Sequence, residues 1–199
     1  MDRTKDRGVI HANAFRRKCA VCCASLLVAL SAAQASAQEA DGPTCFGEEQ
    51  WQALQRSTAI GSSVTSRGAL LYVWSPRMVF SAIHAHEVQQ EAQALGLRFF
   101  PVHDGRLPAE EVAQALAVLP QRLPEGSSLL SGPHPLQASI PLCAPSLIER
   151  DAYRHYPTAW VVQQGGFHSV PLVSAMPVRF WKMGLLQRLE QKPVNAVPE

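Results

Sequence analysis

Sulfur and imidazole carry most of the chemistry available to this chain, and their spacing decides what they can do. Five cysteines and seven histidines occur among 199 residues. Cys19, Cys22 and Cys23 fall in an N-terminal apolar stretch, whereas Cys45 and Cys143 stand far apart. Cysteines separated by roughly 100 residues do not make a C-x-x-C redox pair. The simplest reading is one structural disulfide, worth about 2–4 kcal/mol; two separate free thiols are the alternative. Six histidines follow residue 37: His84, His86, His103, His134, His155 and His168. On a helix, His84 and His86 point about 200° apart and cannot share one ion. No Ser/His/Asp set is recognisable around Ser75, which leaves it without a nucleophile's partners.

The elements that must position these groups begin after a leader. Residues 1–18 carry six Lys/Arg against Asp2 and Asp6, and an apolar run follows from Cys19 to about Ala33. Ala35-Ser36-Ala37 is a small-residue cleavage pattern, so residues 1–37 read as a secretory signal peptide. The apolar run is about 15 residues, short of the roughly 20 a spanning helix needs; an uncleaved anchor is the alternative. The reading implies a periplasmic or secreted protein with no membrane span after cleavage. It also corrects the charge. Removing the leader's charges from 18 Lys/Arg and 16 Asp/Glu leaves 12 and 14, a net charge of −2. No Lys/Arg cluster remains, so nucleic acid is excluded as an expected partner. The apolar share, 47%, together with this low net charge excludes a disordered chain.

The mature chain alternates between strand-like and helix-like segments. Residues 38–65 form an N-terminal extension, with a short helix over Glu48–Gln55, and Trp51 packs this segment on the domain. Residues 69–74 form a continuous apolar run suited to a strand buried on both faces. Ser75-Pro76 reads as a helix start, Ser75 as N-cap and Pro76 at the first helical position. Met78, Ala82, Ala85, Val88, Ala92 and Leu95 make one apolar face, ended by Gly96. A strand over 97–102 and a helix over 108–119 follow, and His103-Asp104 closes that strand at the sheet's carboxyl end, where ligands gather in open α/β folds. Residues 120–144 are rich in Pro, Gly and Ser, with a short strand near Ser139-Ile140. A short helix over 145–153, a strand over 158–163, a turn at Gly165-Gly166 and a strand over 167–173 come next. Pro171 places that last strand at an edge or bulge. A closing helix spans 177–190, with Phe180 and Trp181 read as core and Arg179, Lys182 and Arg188 as its solvated side. The tail, 192–199, is loose. This order gives a mixed sheet with helices on both faces.

The segment strand–Trp74-Ser75-Pro76-Arg77-Met78–helix resembles the thioredoxin-like superfamily, which has Trp-Cys-x-x-Cys there. Tyr156-Pro157-Thr158 before a strand is similar to that family's cis-proline segment. The resemblance covers residues 66–191 and implies an α/β, thioredoxin-like mixed sheet flanked by helices. It also implies that Tyr156 and Pro157 face the Trp74–Met78 turn across a groove that holds extended polypeptide. Ser75 and Met78 occupy the two cysteine positions. An alcohol is far too weak an acid to replace a thiolate, and a thioether has no proton to lose.

The expectation is therefore an exported, non-enzymatic member of the fold, with no cofactor. It binds an envelope protein or extended peptide through Trp74, Ser75, Pro76, Arg77, Met78, Tyr156 and Pro157. Trp74 and Tyr156 merely covering the core is the competing view. The segment Tyr72–Val79 with Tyr156-Pro157 also looks similar to accessory proteins of conjugative DNA-transfer systems. Two alternatives stand beside it: an oxidoreductase relative using Cys45 and Cys143, and a copper-binding protein using Met78 and His103.

Overall fold

The structure, a computed structural model, describes residues 45–59, 66–122, 133–143 and 146–193. The signal peptide expected over 1–37, the extension up to residue 44 and residues 194–199 of the tail lie outside the described residues. Among those that are described, no helix is long and apolar enough to cross a membrane.

The chain runs α1 (Glu48–Ala59), β1 (Gly68–Trp74), α2 (Val79–Ile83), α3 (Ala85–Ala94), β2 (Leu97–His103), α4 (Ala109–Arg122), β3 (Ile140–Pro141), α5 (Ser146–Ala152), β4 (Thr158–Gln163), β5 (Gly166–Phe167), β6 (Leu172–Val173) and α6 (Val178–Glu190). The sheet order is β3-β2-β1-β4-β5, with β6 also paired to β4. β1 is parallel to β2 and antiparallel to β4, with Leu70 opposite Phe99 and Val161. This is the mixed α/β sheet that the thioredoxin-like resemblance implies, with β1 at its centre.

All seven β1 residues are buried, because β1 has a strand on each side and helices on each face. Leu70, Tyr72 and Trp74 pack with Ala82, Val88, Val112, Trp181 and Leu185 from α2, α3, α4 and α6. Ala69, Leu71 and Val73 pack on the other face with Trp51, Leu54, Ile148 and Trp160. The period of two along the strand separates the two cores. Trp51 docks α1 as expected, edge-on to Phe167 with ring centroids 4.9 Å apart. Beside it Cys45 and Cys143, 98 residues apart, are joined as a disulfide with Cα atoms 5.7 Å apart.

Several local expectations are corrected. The helix expected from Pro76 starts only at Val79 and is interrupted at His84. Ser75 is therefore not its N-cap; Met78 holds that place, with no side-chain cap. Pro120, assigned to a connection, lies inside α4. The hairpin turn falls at Gln164-Gly165, both at positive φ (50° and 77°), one residue earlier than expected. The strand over 167–173 is two short pairings, β5 and β6, with Pro171 between them. Pro101 sits within β2 because of its edge: Leu142 N donates to His103 O, 2.9 Å, so alternate residues 103 and 101 face away from β1. A missing N–H there breaks no bond to β1. Phe180 is 43% exposed rather than core, since α6 turns Trp181 and Leu185 inward.

Burial lowers the pKa of four histidines: His86, His103 and His168 fall below the ordinary range, and His134 falls to about 4. A depressed histidine pKa stabilises the fold fully above the unfolded value, near 6.5, and that contribution is lost as pH falls toward the folded value. His134 Nδ1 also accepts from Leu136 N, 3.3 Å, capping a short 3₁₀ turn. Urea midpoints measured at pH 7 and at pH 4.5 should fall with acid. His134→Asn keeps a capping acceptor without the titration, and should lose part of that fall; an unchanged slope contradicts the assignment.

Candidate functional site

The end of β1 and the start of β4 emerge side by side. Val73 lies opposite Thr158 in the antiparallel ladder, so the chain leaves β1 at Trp74-Ser75 next to where Tyr156-Pro157 enters β4. The Tyr156–Pro157 peptide bond is cis. Pro157 is buried and Tyr156 half-buried. The Pro157 carbonyl accepts from Ser174 N, 2.9 Å, which brings the approach to α6 to the same end of the sheet.

The turn itself is pinned by a residue the sequence reading missed. Ser81 Oγ accepts from Ser75 N, 3.1 Å, and its own proton reaches a carbonyl of Met78 (2.6 Å) or Ser75 (3.0 Å). Met78 N donates to Ser75 O, 3.0 Å, closing the turn. Tyr72 OH donates to Ser81 O, 2.7 Å, from the middle of β1. Ser75 thus donates its backbone N–H to Ser81 Oγ, and its own hydroxyl does not cap the helix. The available signal was a hydroxyl on an otherwise apolar helical face, between Met78 and Ala82. Arg77 is fixed to α4 by two bonds to Glu111, Nε–Oε1 2.7 Å and Nη2–Oε2 3.0 Å. That geometry is bidentate but solvent-exposed, which limits its energy.

A second knot joins the end of β2 to the proline segment. Asp104 N donates to Trp74 O, 3.0 Å, placing the carboxylate beside the turn. Its side chain is only 5% exposed, and Arg106 closes on it with Nε–Oδ1 2.9 Å and Nη2–Oδ2 3.0 Å. Tyr156 OH donates to Asp104 Oδ2, 2.8 Å. Burial pushes the Asp104 carboxyl up, but the hydrogen bonds from Arg106 and Tyr156 outweigh it and hold the group below the usual carboxylate range. The Tyr156 phenol is raised, first by burial and then by its bond to Asp104. The Arg106 guanidinium lies 3.7 Å from the centre of the Tyr153 ring, and Tyr153 OH donates to Leu142 O, 3.1 Å. Gly105 is required here, since a Cβ would run into the Leu142 carbonyl.

The expected binding residues are therefore brought together, but not all of them present a side chain. Trp74 is fully buried and Ser75 is 1% exposed, so neither offers contact surface. Trp74 ends a strand covered on both faces and forms the floor of the turn, and Ser75 lies beneath the surface beside it. Met78, expected in the core, is 45% exposed, and Phe80 beside it is 62% exposed. The late helix start turns both outward. Pro76 is half-buried and Arg77 exposed.

The histidines do not converge. His103 Nδ1 lies 3.0 Å from Ser139 Oγ, His84 Nδ1 3.2 Å from Glu87 Oε2, and His86 Nε2 2.9 Å from Gln90 Nε2. Among the described residues no group of three or more His, Cys, Asp or Glu side chains is placed to hold a metal ion.

No family model matches the chain, and no curated protein matches it. Among solved structures it is similar to a secreted Mycobacterium tuberculosis disulfide oxidoreductase homologous to E. coli DsbE. The two share 15% identity over 61% of this chain and 79% of that one, with a TM-score of 0.36.

Ser81→Ala removes the acceptor of a buried N–H and should cost about 1–3 kcal/mol. Urea unfolding measures this; a loss under 0.5 kcal/mol, about the size of a neutral surface change, contradicts the pinning role.

Proposed function

We propose that this chain is an extracytoplasmic protein-binding module that uses a thioredoxin-like scaffold without thiol chemistry. One observation carries the reading: the turn beside the cis Tyr156–Pro157 bond holds a buried hydroxyl, Ser75, and an exposed thioether, Met78. Neither can form the thiolate that attacks a disulfide. Cys45 and Cys143, the two cysteines among the described residues, are bonded to each other. What remains is a surface of Pro76, Arg77, Met78 and Tyr156, to which the geometry adds Phe80. Aromatic, Met and Arg side chains are enriched at protein interfaces. The partner is an extended segment of another envelope protein, and the role is assembly rather than turnover. The resemblance to conjugative accessory proteins gives a DNA-transfer apparatus as the setting.

The rival reading makes Cys45 and Cys143 a working dithiol. Insulin reduction by the intact chain and by Cys143→Ser separates the two. The expected result is no turnover by either; turnover that disappears with Cys143→Ser contradicts the proposal. Binding is tested on arrays of extended peptides tiled from envelope proteins. Met78→Asp, at an exposed position, should weaken any bound peptide by about tenfold, the loss of a typical interface contact, with folding unchanged by circular dichroism. Affinity that survives Met78→Asp and Phe80→Asp together places the binding surface elsewhere.

A further inference from the structure

The Cys45–Cys143 bond lies at the same end of the sheet as the turn, and unbroken contacts join the two. Cys143 N donates to Phe46 O, 3.0 Å, and Phe46 N to Pro141 O, 2.7 Å, so the bond holds residues 45–47 alongside β3. The residue before Cys143 is Leu142, whose carbonyl accepts from Tyr153 OH, 3.1 Å, and sits against Gly105. The Tyr153 ring carries the Arg106 guanidinium at 3.7 Å. Arg106 clamps Asp104, and Asp104 holds Tyr156 OH at 2.8 Å. Each step is a direct contact or a covalent neighbour, although Arg106 is itself exposed. At the far end Cys143 is exposed and Cys45 half-buried. Cys143, at the surface, is the side from which a thiolate arriving from solvent would reach the bond, and access is one of the factors that set the rate of exchange.

We propose that Cys45–Cys143 is a reducible site that takes a dithiol reductant, and that its reduction loosens the hold on Tyr156–Pro157. One thiolate of the dithiol attacks Cys143 Sγ, the S–S bond breaks and Cys45 leaves as thiolate. The second thiol of the reductant then attacks its own sulfur in the mixed disulfide and releases Cys143. Two electrons pass to the chain, both cysteine sulfurs take up protons, and the reductant departs as a disulfide. The chain is here the substrate of thiol exchange rather than its catalyst. Freed of the bond, residues 142–143 keep their backbone hydrogen bonds to His103 and Phe46 but lose the covalent tie that steadies the carbonyl Tyr153 uses. The Arg106–Asp104–Tyr156 series then loses its anchor. The consequence for binding rests on the functional reading above; the coupling does not, and it is measured without any partner.

The test is hydrogen exchange by mass spectrometry on the full chain, oxidised and after treatment with dithiothreitol under native conditions. Thiol alkylation without denaturant counts the released sulfurs. Two thiols should be released, and exchange over residues 153–158 should rise about fivefold or more, the lower end of ordinary allosteric coupling, while β1 stays protected. The variant Cys45→Ser/Cys143→Ser should reproduce that pattern. Tyr153→Phe keeps the ring under Arg106 but removes the bond to Leu142. In that variant exchange at 156–158 should no longer respond to dithiothreitol, a result that a purely structural bridge does not produce. Release of thiols only in denaturant overturns the proposal. So does a rise confined to 45–59, or loss of β1 protection together with the rest, which makes the bond a general staple.

Discussion

A buried carboxylate governs the geometry of the site. Asp104 ends up beneath the surface at the carboxyl end of β2, and an ionised group in that position is costly unless it is fully paired. Two residues satisfy it through three groups: the Arg106 fork, the Arg106 backbone N–H at 3.0 Å and the Tyr156 hydroxyl. Because its own N–H also reaches Trp74 O, satisfying this one charge fixes three chain segments relative to one another. The turn after β1, the loop after β2 and the cis-proline entry to β4 cannot move independently while it holds. The exposed side of Arg106 is screened, so much of the hold comes from the buried phenol–carboxylate bond.

That knot holds the turn in place although the turn itself carries no thiol. In a redox protein of this architecture the turn exists to set a thiolate pKa. Here it is set by hydroxyl–backbone bonds through Ser81, with no ionisable group in the turn apart from Arg77, which is neutralised by Glu111. The turn is held by fixed hydrogen bonds rather than by a titrating group. The outward groups of the surface are Met78, Phe80 and the half-buried Tyr156, all suited to contact. Rigidity of this kind serves binding by reducing what must be ordered when a partner arrives.

The elements with strong local signals were legible in the sequence. The apolar run at 69–74 announced a strand buried on both faces, and the alternation of strands and helices gave the mixed sheet. Cys45 and Cys143 were readable as a bridge from compartment and count. What the sequence hid was where local preference lost to tertiary contact. Ser75-Pro76 has the chemistry of a helix start, yet Ser81, six residues on, takes Ser75 N–H and delays the helix to Val79. Met78 fits the apolar stripe by spacing, and that same delay turns it outward. Asp104 and Tyr156 are 52 residues apart, and no periodicity links them. Nor does spacing reveal that Leu142 supplies the carbonyl for Tyr153. The site's framework was visible, while its fasteners, all long-range polar contacts, were not.

On the proposed reading, the Ser75–Met78 turn keeps the backbone course of a dithiol site but carries a hydroxyl and a thioether in place of the two thiols. Restoring them is the direct measurement: the variant Ser75→Cys/Met78→Cys, assayed for an intramolecular disulfide between the new cysteines and for insulin reduction beside the unaltered chain. The variant should form this bond and gain reductase turnover, while the unaltered chain should have none. Turnover by the unaltered chain, or introduced cysteines that remain unpaired under oxidising conditions in a folded variant, contradicts that reading.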